Sequence, residues 1–104
     1  TVKELLKKIK TNSIIGKNSH VHSGFIGDSV IGENCRIGAG FITANHRFDR
    51  KDISVTVKGE KVSSGKSFLG AFIGDNSSIG IPVGTMPGAV ISPNSTIFPG
   101  KIVK

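Results

Sequence analysis

Three histidines, one cysteine and a run of cations carry most of the chemistry that this 104-residue sequence offers. His20 and His22 form a His-x-His pair, and His46 is the third imidazole. A zinc site needs three or four ligands. With only His46 to join the pair, no metal is expected. Imidazole side chains titrate near neutrality and suit proton transfer, so His22 reads either as a general base or as an exposed surface histidine. Cys35 stands alone and cannot form an internal disulfide. Its position in a six-residue repeat predicts a small buried hydrophobe, not a nucleophile. Arg47, Arg50, Lys51, Lys58, Lys61 and Lys66 cluster in one stretch. That stretch is the expected anion-contacting element, with Lys58, Lys61 and Lys66 as phosphate contacts, and ordinary solvated charge as the alternative.

The elements that position these residues are set by periodicity. Val2, Leu5, Leu6 and Ile9 fall at i, i+3, i+4 and i+7, which predicts a short amphipathic helix over residues 1–12, docked on the end of the repeat domain. From residue 13 the period becomes six. Ile15, Val21, Ile26, Ile31, Ile37 and Thr43 form one ladder, in steps of six apart from two steps of five around Ile26. Ile73, Ile79, Thr85, Ile91, Ile97 and Val103 form a second, in unbroken steps of six. A fixed short period signals a solenoid. Each unit would supply one short strand and one corner, with ladder aliphatics stacked inward and Gly or Asn at corners that need positive φ. Small residues four places after the ladder, among them Ser19, Cys35, Ser77, Ala89 and Ser95, would fill a narrow interior. Residues 13–104 therefore read as one all-β domain, a parallel β-helix.

Between the ladders, from about 45 to 69, the repeat is interrupted. Ile53, Val55 and Val57 alternate with polar residues before Gly59, which predicts a hairpin or protruding loop. Long insertions in compact repeat folds are more often functional than accidental. A formal charge of +7 favours anionic partners. Nucleic acid is not expected, because no recognisable binding module accompanies the charge. No apolar run is long enough to span a bilayer, so a cytoplasmic location is expected without membrane association. Thr1 in place of an initiator Met gives the expectation of a piece of a longer polypeptide.

The run Gly32-Glu33-Asn34-Cys35-Arg36-Ile37-Gly38-Ala39-Gly40 followed by Thr43-Ala44-Asn45 resembles the acetyltransferase domain of bifunctional sugar-1-phosphate nucleotidyltransferases, the UDP-N-acetylglucosamine pyrophosphorylase family. The stretches Val55–Gly59 and Leu69–Asn76 resemble its archaeal-type members in particular. The resemblance implies a left-handed β-helix, a homotrimer with sites between neighbouring prisms, and acetyl-CoA as the acetyl donor to an amino-sugar 1-phosphate of the glucosamine 1-phosphate type. It also implies a nucleotidyltransferase domain upstream, whose Gly-rich signature these residues lack. Nucleotide transfer is therefore not expected here.

Set on the family pattern through Ile26-Gly27-Asp28, His22 coincides with the catalytic histidine, and Asn45 with an asparagine near the acceptor and acetyl group. The amide of Asn45 would hold either a sugar substituent or the thioester carbonyl. The family's His-x-x-Tyr stands here as His22-Ser23-Gly24-Phe25, and Arg36 replaces a common Asn. Both Phe25 and Arg36 are expected at the acceptor, with Arg36 able to grip a phosphate bidentately. His46 stands where bacterial enzymes often carry Tyr and is expected to contact the coenzyme, as are backbone groups around Ile81, Pro99 and Gly100. The two departures also motivate an alternative, a non-catalytic trimerisation or regulatory domain of a sugar-1-phosphate nucleotidyltransferase.

Overall fold

The computed structural model describes residues 13–104, and the helix expected over residues 1–12 lies outside the described residues. Each turn of the chain lays down three two- or three-residue strands separated by tight corners. The first coil holds β1 (Ile14–Ile15), β2 (His20–Val21) and β3 (Gly24–Phe25), and the second holds β4 (Val30–Ile31), β5 (Arg36–Ile37) and β6 (Phe41–Thr43). After an inserted hairpin of β7 (Ser54–Val57) and β8 (Glu60–Ser63), the third coil supplies β9 (Phe72–Ile73), β10 (Ser78–Ile79) and β11 (Gly84–Thr85). The fourth supplies β12 (Val90–Ile91), β13 (Thr96–Ile97) and β14 (Ile102–Val103).

Strands stack only on their equivalents in neighbouring coils, all in parallel. The first wall is β1-β4-β9-β12, the second β2-β5-β10-β13 and the third β3-β6-β11-β14. This three-walled prism matches the left-handed parallel β-helix that the resemblance implies. The register aligns the ladders in space: Ile15, Ile31, Ile73 and Ile91 in the first wall, Val21, Ile37, Ile79 and Ile97 in the second. Thr43, Thr85 and Val103 align in the third. Seven ladder aliphatics from Val21 to Ile91 are buried. Ile15, Ile97 and Val103, in the end coils, pack against them while partly exposed.

The corner between the first and second walls repeats the same solution four times. Asn18, Asn34, Asn76 and Asn94 adopt φ between 57° and 62° there, a region Asn enters more easily than most residues. The small side chain that follows each of them seals the corner. Ser19 Oγ donates to Gly32 O (2.6 Å) and accepts the Cys35 N–H (2.9 Å), and Ser77 Oγ donates to Gly74 O (2.9 Å). Cys35 is fully buried in this column, as its spacing predicts.

Two departures from regular stacking shape the rest. Register partners in the second wall lie 16 residues apart from first to second coil (His20, Arg36), 42 from second to third (Arg36, Ser78) and 18 from third to fourth (Ser78, Thr96). The first coil is therefore short, and the insertion enlarges the last corner of the second. Within it, β7 and β8 pair antiparallel through a two-residue turn at Lys58 (φ 50°) and Gly59 (φ 81°), the signs of a type I′ hairpin. Ile53 anchors the insertion to the prism. It is 1% exposed, and at Gly88 a Cβ would meet Ser54 O at 2.5 Å and Ile53 Cγ2 at 2.9 Å. No helix among the described residues is long and apolar enough to cross a membrane.

Candidate functional site

The outer face of the second wall gathers the largest share of the predicted residues. Register puts His20, Arg36, Ser78 and Thr96 in one outward column, one per coil. Beside it, at the strand ends, lie His22, Gly38, Gly80 and Phe98. Together with Pro99 they line an open groove of about 620 Å³. Both imidazoles and the guanidinium share this groove, and no acidic side chain lines it. Glycine keeps its floor flat: a Cβ on Gly80 would meet the Pro99 ring at 2.9 Å, and one on Gly38 would strike the Ile81 side chain. Ile81 therefore sits at the rim, half-exposed above Gly38.

A second cluster forms where the insertion leaves the prism. Phe25, outward on β3, and Asn45, two residues past β6, converge over Gly27, where a Cβ would meet Phe25 Cζ at 2.8 Å and Asn45 Nδ2 at 2.9 Å. Asn45 Nδ2 donates to Asp28 Oδ2 (2.8 Å). The return limb of the insertion locks both backbones, Leu69 N–H donating to Asn45 O (2.9 Å) and Gly70 N–H to Asp28 O (2.8 Å). His46 stacks on Phe68 with ring centroids 4.2 Å apart and planes 17° from parallel.

The structure thus brings His22, Arg36 and Pro99 to one groove, with Ile81 at its rim, and brings Phe25 and Asn45 to the insertion's base. Asn45 is not among the residues that line the groove with His22. Gly100 lines a separate cavity of about 390 Å³ on the third wall, with Ile42, Met86 and Ile102. Backbone recognition of a coenzyme is narrowed further. The N–H groups of Gly80, Gly88 and Gly100 already donate to Ile97 O, Gly70 O and Pro82 O, which leaves carbonyls at those positions.

Lys58, Lys61 and Lys66 are exposed along the hairpin and its return limb rather than gathered at one point. Lys61, opposite Thr56, lines a shallow hollow with Ser54, Val90 and Lys104. Arg47 is partly neutralised by its ion pair with Asp49 (2.5 Å). The Lys51 backbone N–H, aided by Arg47, holds the Asp49 carboxyl below the usual carboxylate range. Among the described residues no three His, Cys, Asp or Glu side chains converge on a possible metal position.

Sequence reasoning singled out neither Asp28 nor Phe68. Asp28 does carry a signal, because it stands in the second five-residue step, and a corner one residue short draws its occupants against the next coil. Phe68 carries none, since its pairing with His46 spans the whole insertion.

No protein-family model matches the chain. Curated relatives do. It is 43% identical over 96 residues, 92% of its length, to a bifunctional sugar-1-phosphate nucleotidylyltransferase/acetyltransferase of Sulfurisphaera tokodaii. It is 56% identical over 86 residues, 82% of its length, to a bifunctional protein GlmU of Methanococcus aeolicus. A protein of Escherichia coli K12 named as an uncharacterized acetyltransferase is 39% identical over 80 residues, 77% of the chain and 35% of that protein. The chain spans only 24% and 21% of the first two relatives. With that identity across most of its length, on a prism of hexapeptide coils, the chain matches a portion of the bifunctional sugar-1-phosphate nucleotidylyltransferase/acetyltransferases.

Proposed function

We propose that this chain is an acetyl-CoA-dependent N-acetyltransferase acting on an amino-sugar 1-phosphate of the glucosamine 1-phosphate type. The observation that carries the reading is the second-wall groove, where His22 and Arg36 face outward side by side with no carboxylate among the lining residues. An unprotonated sugar amine attacks the thioester carbonyl, forming the C–N bond as the C–S bond breaks. His22 accepts the proton that the nitrogen sheds, and the coenzyme leaves as a thiol once its sulfur is protonated. Arg36 grips the phosphate of the acceptor or of the coenzyme through its planar fork. Phe98 and Pro99 give the coenzyme's pantetheine arm an apolar seat.

The active form is a homotrimer, in which a neighbouring prism closes the open groove and brings Asn45, Phe25 and the hairpin cations Lys58, Lys61 and Lys66 toward a shared site. What supports this is the apolar surface a lone prism leaves in water. Ile42 and Ile102 are 56% and 60% exposed on the third wall, and Val57 and Val62 are 50% and 47% exposed on the hairpin. Surface of this kind marks interaction sites. The whole protein carries a nucleotidyltransferase domain upstream and works in the cytoplasm, and this portion transfers no nucleotide. His46 and the backbone near Ile81, Pro99 and Gly100 complete the coenzyme site.

Thiol release from acetyl-CoA with glucosamine 1-phosphate or galactosamine 1-phosphate tests the reading. Turnover is expected, and His22→Ala should lower kcat by roughly 10²–10⁴-fold, the span typical of a lost general base. Absence of turnover would return the chain to a scaffold role, and full turnover after His22→Ala would remove His22 as the general base. Light scattering should give three copies per particle, and a stable monomer at micromolar concentration would remove the shared-site geometry.

A further inference from the structure

The contact between Asp28 and Asn45 fixes something about the site that neither residue type would. A carboxylate offers only acceptors, so the Asn45 atom facing Asp28 Oδ2 at 2.8 Å is the amide nitrogen. The carbonyl oxygen Oδ1 then points away from Asp28. It takes no hydrogen bond from the described residues, while Asn45 is only half-buried. The Phe25 ring and the Asn45 amide nitrogen both lie over Gly27. Neither backbone is free to relax the arrangement, because the return limb holds Asn45 O and Asp28 O through the N–H groups of Leu69 and Gly70. Asp28 itself adopts φ 50° at this corner, and its side chain reaches Asn45 at the start of the insertion.

We propose that Asp28 is a positioning residue that locks Asn45 with Oδ1 outward, making Oδ1 a hydrogen-bond acceptor for N–H or O–H groups of the amino sugar. This rests on the acetyltransferase reading and sharpens it. A locked acceptor selects a substrate that presents a donor at that point, since an analogue without one leaves Oδ1 unpaired once water is displaced. The acetyl donor, whose carbonyl can only accept, gains nothing from Oδ1. The consequence is an asymmetry: loss of the lock should weaken the acceptor and spare acetyl-CoA.

Asp28→Asn tests this with little disturbance, because Asn tolerates the left-handed corner at least as well. Its uncharged amide no longer dictates which end of Asn45 faces it. The Michaelis constant for the amino-sugar phosphate should rise roughly five- to twenty-fold, the worth of one or two hydrogen bonds, while that for acetyl-CoA stays within about twofold. Asn45→Asp alone should do as much or more, by setting two carboxylates face to face. The reciprocal pair Asp28→Asn with Asn45→Asp restores the geometry, one amide donating to one carboxylate whose second oxygen faces outward. It should recover the acceptor constant to within about threefold of the starting protein, a coupling that independent sites would not show. Equal rises in both constants after Asp28→Asn, or a reciprocal pair no better than the worse single variant, would overturn the proposal.

A readout independent of turnover separates this from failure of the acetyltransferase reading. The Asn45 side-chain amide in a ¹⁵N correlation spectrum should exchange slowly and shift on Asp28→Asn. An amide that exchanges freely, or is unmoved by that substitution, overturns the lock even if the chain is an acetyltransferase. Absence of turnover with a protected amide overturns the acetyltransferase reading and, with it, the role given to Oδ1.

Discussion

Thr43 and Thr85 occupy the same column of the third wall and are buried to the same degree, 1% and 2% exposed, yet their hydroxyls are used in opposite ways. At Thr43 the hydroxyl repairs a defect. Elsewhere the residue after a ladder position donates its N–H to the ladder carbonyl of the next coil, as Gly16 does to Ile31 O and His22 to Ile37 O. After Ile26 the short corner breaks this alignment, and the buried Gly27 N–H donates to Thr43 Oγ1 instead (3.0 Å), while that hydroxyl donates to Phe25 O (3.3 Å). The Thr85 hydroxyl is buried without a partner among the described residues. Valine keeps the branched shape and deletes the oxygen. At 43 it strands a buried N–H, which costs about 1–3 kcal/mol. At 85 it removes an unpaired hydroxyl from an apolar site, which gains on the order of 1 kcal/mol. At roughly 4–8 °C per kcal/mol for a domain of this size, Thr85→Val should melt several degrees above the starting protein and Thr43→Val several degrees or more below it. Calorimetry at one fixed protein concentration is the assay, because assembly would make the midpoint depend on concentration. Shifts of the same sign would refute the reasoning, as would a destabilised Thr85→Val.

The insertion and the buried thiol each carry a further expected outcome. Ile53→Ala removes the side chain that anchors the insertion to the Gly88 corner. Hydrogen exchange at Ser64, whose N–H donates to Ile53 O (2.9 Å), should accelerate by about 100-fold, the equivalent of losing about 3 kcal/mol locally. Amides of the asparagine corners should keep their protection, and equal acceleration there would show that the insertion is not a separable unit. The Cys35 thiol, fully buried with Sγ 3.2 Å from Gly74 O, should resist a disulfide reagent in the native protein and react after denaturation; rapid native labelling would contradict its place in the column.

The prism was legible because the six-residue repeat states the same constraint many times over. The ladder aliphatics of the first and second walls lie in register from coil to coil, and the asparagine corners adopt the positive φ that the residue type suggests. The hairpin was legible from its alternation and from Gly59. Phe41 was not, although it is fully buried. It lies two places before Thr43, opposite Gly24, a position that the first coil leaves without a side chain. Nor did spacing reveal the outward apolar column Ile14, Val30, Phe72 and Val90, because each member immediately precedes a ladder residue and reads as part of the same apolar pair. The loop cations illustrate the converse limit. Close in sequence, they are set apart by the hairpin, Arg47, Arg50 and Lys51 before β7, Lys58 at the turn, Lys61 on β8 and Lys66 beyond it.

The candidate site residues of the first coil share a physical cause. Two corners of that coil are each one residue shorter than their counterparts: the corner holding His22 and Ser23, and the corner holding Gly27 and Asp28. The first contraction presses Gly24 (φ 138°) so close to the second coil that any Cβ would overlap Phe41 O, and it leaves His22 at the edge of the groove beside Arg36. The second pulls Asp28 under the corner of the second coil, at the point where that corner opens into the insertion. A regular corner there would carry the chain past without a side chain reaching across, as the corner between β11 and β12 does. Asp28 instead receives the insertion at both ends, its carboxylate holding Asn45 on the outgoing limb and its carbonyl holding Gly70 on the returning one. Regular coils make a rigid prism with flat walls. The two missing residues break that regularity beside the largest loop, and so set an imidazole at one end of β3 and an oriented amide at the other.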